Sequence, residues 1–555
     1  MEQTVEKKPR KKIPPLVKWL LGYVGTLGAA AGLVYYWRVV FFTQQAQLPA
    51  LPITLGVAAV FSLLYLLVFL ACRFFKQNIC LKAAVCVLVL GLLFCFATPP
   101  MQTPDEQFHY LRAYSISNGH FTYDANRTYP DDVTKLVQSF PSQMNFGVCY
   151  QGGELAETAF ANYQAALQSG PAATPLTEQE ALVFVSIPML PQAAGMLVGR
   201  LFGLGALGLL YAGRIGNLLF YALVCYFVFK NCNKYRGVFF AVAMLPLSLS
   251  LAASCSYDST MLAMCYLAVS YFCKDEIQTK DVWVFGLAVL LATYIKPMNF
   301  VLVAVLLLIP KARWKTKTNP WAAFGIIMGA SLTFYGLMAF VVDASWLKFN
   351  YGELWRGSGD GAAPLQQLFF VVTNIPAFVS RVLLTLYEEA AFIFNMGTFG
   401  TLDMTIPLVS GLSVLSLAAA SALGIQQKED TKAGGAWGLF LAAVLYACAI
   451  IAGLYVLQND LYSIRINQLQ PRYFLPAFLL LFMLASILLG KAVRPRLAAG
   501  DAATLRVQNI TLYIAASVAL LAVILIFQGY FIGQWLPKLQ DGTHKLVNLY
   551  GWMIQ

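Results

Sequence analysis

Apolar runs close to 20 residues long recur along this 555-residue chain, separated by short charged loops. An α-helix rises about 1.5 Å per residue and a bilayer core is about 30 Å thick, so such runs are long enough to cross. Backbone N–H and C=O groups find no outside partner in hydrocarbon, and a continuous apolar run satisfies them internally only as a helix. The chain is 59% hydrophobic and 12% charged, against about 25% charged in soluble domains. These features predict an all-α, polytopic integral membrane protein.

Candidate spans fall near 16–40, 51–72, 83–98, 207–229, 237–254, 260–273, 282–295, 299–310, 320–341, 404–424, 436–457, 473–490 and 509–531, about 13 in all. They divide the chain into a basic tail with three spans (1–98), a first large outer loop (99–206) and a block of spans (207–341). A second outer loop (342–403), a second block of spans (404–531) and an outer tail (532–555) follow. Met1 to Lys12 is polar and basic and the next apolar run is long enough to stay in the membrane, so no cleavable signal peptide is expected.

The loops Lys7 to Lys18, Arg73 to Lys82, Lys230 to Arg236, Lys311 to Lys317 and Lys491 to Arg506, with Lys274, Lys280, Lys428 and Lys432, hold most of the 38 Lys and Arg. The positive-inside rule places them, and the N-terminus, in the cytoplasm. Segment 187–204 is apolar enough to cross, but crossing would reverse every later loop, and Pro188 and Pro191 weaken a straight span. It is expected to be re-entrant or to lie on the outer interface. Leu365 to Phe394, where apolar residues alternate with Arg381, Glu388 and Glu389, is expected to form an interfacial helix.

The net charge of +12 sits in short loops rather than in a basic, aromatic-interleaved domain, which argues against nucleic acid. The 11 cysteines lie mostly in apolar runs, as Cys86, Cys95, Cys225, Cys265 and Cys273 do, and Cys149 stands nearly alone in an outer loop. No CxxC spacing occurs and His numbers three, too few for a zinc cluster. No inner loop is long enough to fold a soluble nucleotide-sugar domain. Arg214, inside an apolar run, has no evident role.

Chemistry concentrates in the stretch from Thr98 to Arg112. If a helix starts at Pro104, then Asp105, His109 and Arg112 fall at i, i+4 and i+7 on one face. Thr103 can cap that helix, Pro104 suits its first position and Glu106 completes a capping box. Alternatively Glu106 joins Asp105 in holding a divalent metal. The cap does not need Asp105, and an idle acid beside lipid is costly. On the same outer face stand Asp258, Lys296 before Pro297, Asp403 before a span, and Arg472 with Tyr473 at the start of another. Singly, Asp258 and Asp403 could be helix caps, Lys296 a snorkelling end and Arg472 an interfacial anchor. Together they gather acids and bases from distant segments at one membrane face. An acid there can take a proton from a hydroxyl, and Arg and Lys can stabilise a phosphate leaving group.

At these residues the chain resembles a bacterial family, domain of unknown function 2142. The matching pieces are Pro-Asp-Glu-x-x-His-x-x-Arg-Ala-Tyr at 104–114, the Ser-Tyr-Asp-Ser turn around Asp258, the Lys296-Pro297 turn, the Phe-Gly-x-x-Asp-x-x-x-Pro run through Asp403 to Pro407, and Gln-x-Arg-Tyr-Phe-x-Pro at 470–476. The family looks like the GT-C class of membrane glycosyltransferases, which use polyprenyl-phosphate sugars. The resemblance implies a bacterial cytoplasmic-membrane enzyme with an extracytoplasmic site. Asp105 would be its base, Arg472 and Lys296 would take the lipid phosphate, and Glu106 and His109 would assist. Arg112, Asp258, Asp403 and Tyr473 would bind substrate. The donor would be an undecaprenyl-phosphate-linked sugar, the acceptor a cell-wall polysaccharide or teichoic-acid-like polymer, and the enzyme that makes the donor an expected partner. No cofactor is implied beyond the optional metal. The rival readings are a flippase of lipid-linked glycans, which calls for paired halves and charges near the midplane, and a non-catalytic scaffold of a polysaccharide-synthesis complex.

Overall fold

The computed structural model describes residues 78–140, 162–172, 174–178, 186–232, 234–338, 364–402, 404–423, 433–493 and 501–531, with isolated positions among 14–24 and 62–66. Residues 1–74 and 75–555 are two compact units, and everything below belongs to the second. It is built of helices. Among the described residues the strands are one two-residue antiparallel pair, Thr398–Phe399 with Met404–Thr405.

Among the described residues, six helices are long and apolar enough to cross a membrane: Ile79–Ala97, Ala206–Asn231, Pro320–Leu337, Gly435–Gln458, Pro471–Leu489 and Thr504–Phe527. A seventh arises if the bent pair Gln366–Thr373 and Ile375–Ile393 is one broken span. The chain is therefore an all-α polytopic membrane protein. Of the remaining expected spans, 16–40 and 51–72 lie outside the described residues. The other five are helical but short. The 237–254 run splits into Arg236–Ala243 and Pro246–Ala252, because Pro246 has no N–H to continue the ladder. Asp258–Ser270 has 13 residues, Thr279–Ile295 and Pro407–Leu423 have 17 each, and 299–310 is mostly a 3₁₀ turn, Pro297–Ala304.

Segment 187–204 forms a short 3₁₀ turn and the 12-residue helix Leu190–Leu201, about 18 Å long and well short of a bilayer core. It folds back on Ala206–Asn231 so closely that an added Cβ at Gly195 would strike the Ala212 carbonyl, and one at Gly216 the Pro191 carbonyl. The 365–394 region is two helices meeting at 100°, broken where Pro376 follows Asn374 and Ile375.

Sidedness is visible in two neighbouring helices. The loops after Ser270 and before Pro320 pair through Ile277 and Trp314, and Arg313 Nη1 donates to the Phe272 carbonyl at 2.9 Å. The basic residues Lys274, Lys280 and Lys311 to Lys317 thus share one end of the bundle. Asp258 and Lys296 stand at the opposite ends of the same two helices. Trp283, Trp321 and Trp437 are about 70% exposed near the starts of helices that follow basic loops, as aromatic residues at a membrane interface are.

Candidate functional site

The site begins with a buried pair that the sequence left unexplained. Arg214, fully buried in the Ala206–Asn231 helix, grips Glu106 with two hydrogen bonds of 2.8 and 2.7 Å. Its other donors go to the carbonyls of Cys95, Thr98 and Pro99, so all five guanidinium N–H groups are used. Glu106 also accepts from the Cys255 amide at 3.1 Å. One arginine thereby fixes the end of the Ile79–Ala97 helix, the turn that follows and the start of the next helix.

This corrects the expected capping box. The helix runs Glu106–Ser117, its N-cap is Asp105, and no side chain caps it. A cap contributes about 0.5–2 kcal/mol, whereas an unpaired buried guanidinium costs about 3–5 kcal/mol, so Glu106 turns to Arg214. With both carboxylate oxygens so committed, Glu106 does not fit the role of metal ligand. Among the described residues no three His, Cys, Asp or Glu side chains converge on a metal position.

Asp105 sits in the left-handed region, φ 62°, a conformation that costs a non-glycine residue of order 1 kcal/mol and that the pinned turn on either side enforces. Its carboxylate meets Arg472, whose Nη2 donates to Asp105 Oδ2 at 2.8 Å. Arg472 lies in the 3₁₀ turn Pro471–Phe474. Its Nε lies 2.8 Å from Asp258 Oδ2, a close ion pair bent away from hydrogen-bond alignment. Asp258 Oδ1 accepts from Lys296 Nζ at 2.9 Å. The Lys296 ammonium sits 3.8 Å from the centre of the Tyr473 ring, and the Tyr473 hydroxyl accepts from Arg472 at 3.3 Å.

The result is an alternating chain of acid, base, acid and base, drawn from four separate segments. Burial is graded along it: the side chains of Arg472 and Asp258 are 3% and 2% exposed, Lys296 16% and Asp105 35%. Asp105 is the member that faces outward. Arg472 Nη1 is buried without a hydrogen-bond partner among the described residues, an unusual state for a charged donor.

Two of the members, Asp258 and Lys296, sit on turns held by small polar networks. Gln192 Nε2 and Asn217 Nδ2 both donate to the Ser256 carbonyl, Asn217 Nδ2 also to the Ser254 carbonyl, and Ser259 to Asn217. These bonds set the turn that carries Asp258. Asn299 donates to the Ala292 carbonyl and accepts from the Tyr446 hydroxyl at 2.6 Å, which sets the Lys296-Pro297 turn.

His109 is buried with its ring 4.3 Å from that of Tyr257. Burial lowers its pKa to about 4, against the attraction of Asp105 and Asp258, so the imidazole is neutral at ordinary pH. Arg112 does not join the cluster. It donates to the Phe121 carbonyl and Ser186 Oγ and lies 3.9 Å from Glu178. Seven residues of helix carry it about 10 Å from Asp105 along the axis, where it ties Phe121, Glu178 and Ser186 together instead. Asp403 and Cys149 lie outside the described residues.

Asp105, Asp258, Lys296, Arg472 and Tyr473 are thus linked in one chain of contacts, with His109 close by. Arg214 is the residue that sequence reasoning missed. Its signal was partial: an arginine inside an apolar run calls for a carboxylate or carbonyl partner, but which one depends on how the helices pack. No curated protein and no solved structure matches the chain. The family described as predicted membrane protein DUF2142 matches residues 88–482, which takes in the pinned turn, the Asp258 and Lys296 turns and Arg472; the chain belongs to that family.

Proposed function

We propose that this protein is a GT-C-like glycosyltransferase of the bacterial cytoplasmic membrane, with the Asp105 cluster as its extracytoplasmic active site. The observation that carries the reading is the contact chain Asp105–Arg472–Asp258–Lys296. It puts a part-exposed acid beside a buried arginine, with a half-buried lysine linked to it through Asp258, at the membrane end opposite the basic loops.

The donor is a sugar on undecaprenyl phosphate and the acceptor a hydroxyl of a cell-wall polysaccharide or teichoic-acid-like polymer. Asp105 takes the acceptor proton as the hydroxyl oxygen attacks the anomeric carbon. The bond from that carbon to the phosphate oxygen breaks, and configuration inverts. The phosphate leaves with the extra negative charge, which Arg472 and Lys296 stabilise as it develops. Arg472 Nη1, buried and without a hydrogen-bond partner among the described residues, offers the phosphate a donor without displacing Asp105. Neutral His109 orients the sugar, and Tyr473 holds the two cations in register. Asp258 keeps the cations in place between turnovers. Glu106 acts through Arg214 on the position of Asp105, not on substrate.

The test is sugar transfer in proteoliposomes given radiolabelled undecaprenyl-phosphate sugars and surface polysaccharide. Labelled polymer is the expected product. Donor movement across the bilayer with no labelled polymer would favour the flippase, and neither would favour the scaffold.

A further inference from the structure

A cavity of about 220 Å³ opens between the Ile375–Ile393 helix and the segment that leads into Arg472. Its floor includes Gln470, two residues before Arg472 and 7% exposed. The Gln470 Oε1 is buried and has no hydrogen-bond partner among the described residues. Phe392, half-buried, contributes a wall. The rim carries Glu388, Glu389 and Arg465, and Arg465 is clamped by Glu388 at 2.9 and 2.8 Å. The two sides are fastened together beneath, where the Ile466 amide donates to Thr385 Oγ1 at 3.0 Å.

This chemistry differs from that of the Asp105 cluster. With Arg465 matched by Glu388, Glu389 leaves an excess of negative charge, so an anionic group is repelled. The orphaned Gln470 oxygen and the rim carboxylates accept hydrogen bonds, and their natural complement is a set of O–H donors. Phe392 offers an apolar face of the kind sugar C–H bonds pack on. The volume is below the roughly 300–1,000 Å³ of sites for drug-sized ligands. That suits one ring of a longer chain that continues out over the rim. We propose that this cavity binds a neutral sugar residue of a glycan. Resting on the transferase reading above, it is the acceptor subsite, and of the two acceptors it favours the neutral polysaccharide over the phosphate-bearing teichoic-acid-like polymer. Neutral acceptor and phosphate-bearing donor are then separated by charge on either side of the Gln470–Arg472 turn.

Saturation-transfer NMR tests this on the full-length protein in lipid nanodiscs free of sugar detergents. The probes are N,N′-diacetylchitobiose, maltose and mannobiose, with digalacturonic acid as the anionic control. A signal is expected from at least one neutral disaccharide and not from the acid. Phe392→Ala and Gln470→Leu should each weaken neutral binding about tenfold. Glu389→Lys, at the exposed rim where folding is not at stake, should bring up the digalacturonate signal. No neutral signal, or one indifferent to all three substitutions, overturns the proposal. Disaccharide binding without sugar transfer in proteoliposomes keeps the cavity as a glycan site and removes the transferase. Transfer without disaccharide binding does the reverse.

Discussion

Arg472 donates to Asp105 across 2.8 Å and 367 residues of sequence, and the same guanidinium lies 2.8 Å from Asp258. A planar fork that touches two carboxylates is not replaceable by a point charge. Arg472→Lys should keep the fold and weaken binding of undecaprenyl phosphate by about 10–100-fold, and Arg472→Met by more. Native mass spectrometry of the protein titrated with the lipid reads both. Equal lipid retention in wild type and Arg472→Met would remove Arg472 from the phosphate site.

Arg214 predicts a loss of stability. Arg214→Ala strands Glu106 and three backbone carbonyls in the protein interior and should cost about 3–5 kcal/mol. Glu106→Gln keeps the shape but leaves the buried guanidinium without its countercharge and turns an amide NH2 towards a donor, so it should cost a similar amount. Thermal unfolding of the solubilised variants checks both. A double substitution to Leu and Met should cost less than Arg214→Ala alone, because it leaves no charge unpaired.

Much of this fold can be read from the residues alone, because membrane helices satisfy their own backbones and the apolar runs mark them. Helices appear at 79–97, 206–231, 320–337, 433–458 and 501–531 close to the expected positions. The gathering of Asp105, Asp258, Lys296 and Arg472 was legible too. Each flanks an apolar run on the side opposite the basic loops, and alternation of those runs then puts them together. The Glu106–Arg214 pair was not legible, since it depends on how two helices pack side by side. The diversion of Arg112 escaped for a related reason. Periodicity says which face of a helix a residue shares, but not that it lies two turns away from where the site is. The break at Pro246 shows the same limit in the apolar runs, where composition gives a run's length and one proline decides its continuity.

His109 makes stability depend on pH. Its pKa in the folded protein is about 4 against an ordinary 6.5, so the unfolded chain takes up a proton that the folded one refuses. Stability is full above about pH 6.5 and falls as the pH drops towards 4, by about 3 kcal/mol from this group. His109→Gln should flatten that part of the curve of melting temperature against pH. An unchanged slope would contradict the burial argument.

The close helix crossing predicts a steric effect. Gly195→Ala would push a methyl group into the Ala212 carbonyl, and backbone cannot swing aside. Gly195→Ala should therefore destabilise by about 1–3 kcal/mol. Gly325→Ala, in open space on the Pro320–Leu337 helix, should be neutral or stabilise by up to about 1 kcal/mol. Paired thermal unfolding distinguishes them.

Asp105→Asn gives the most direct test of the central claim, with donor retention and sugar transfer measured side by side on the folded protein. The account predicts that the variant still holds undecaprenyl-phosphate sugar while transfer drops by about 100-fold or more. Equal transfer by wild type and variant would show that Asp105 is not the base and that the cluster serves another purpose.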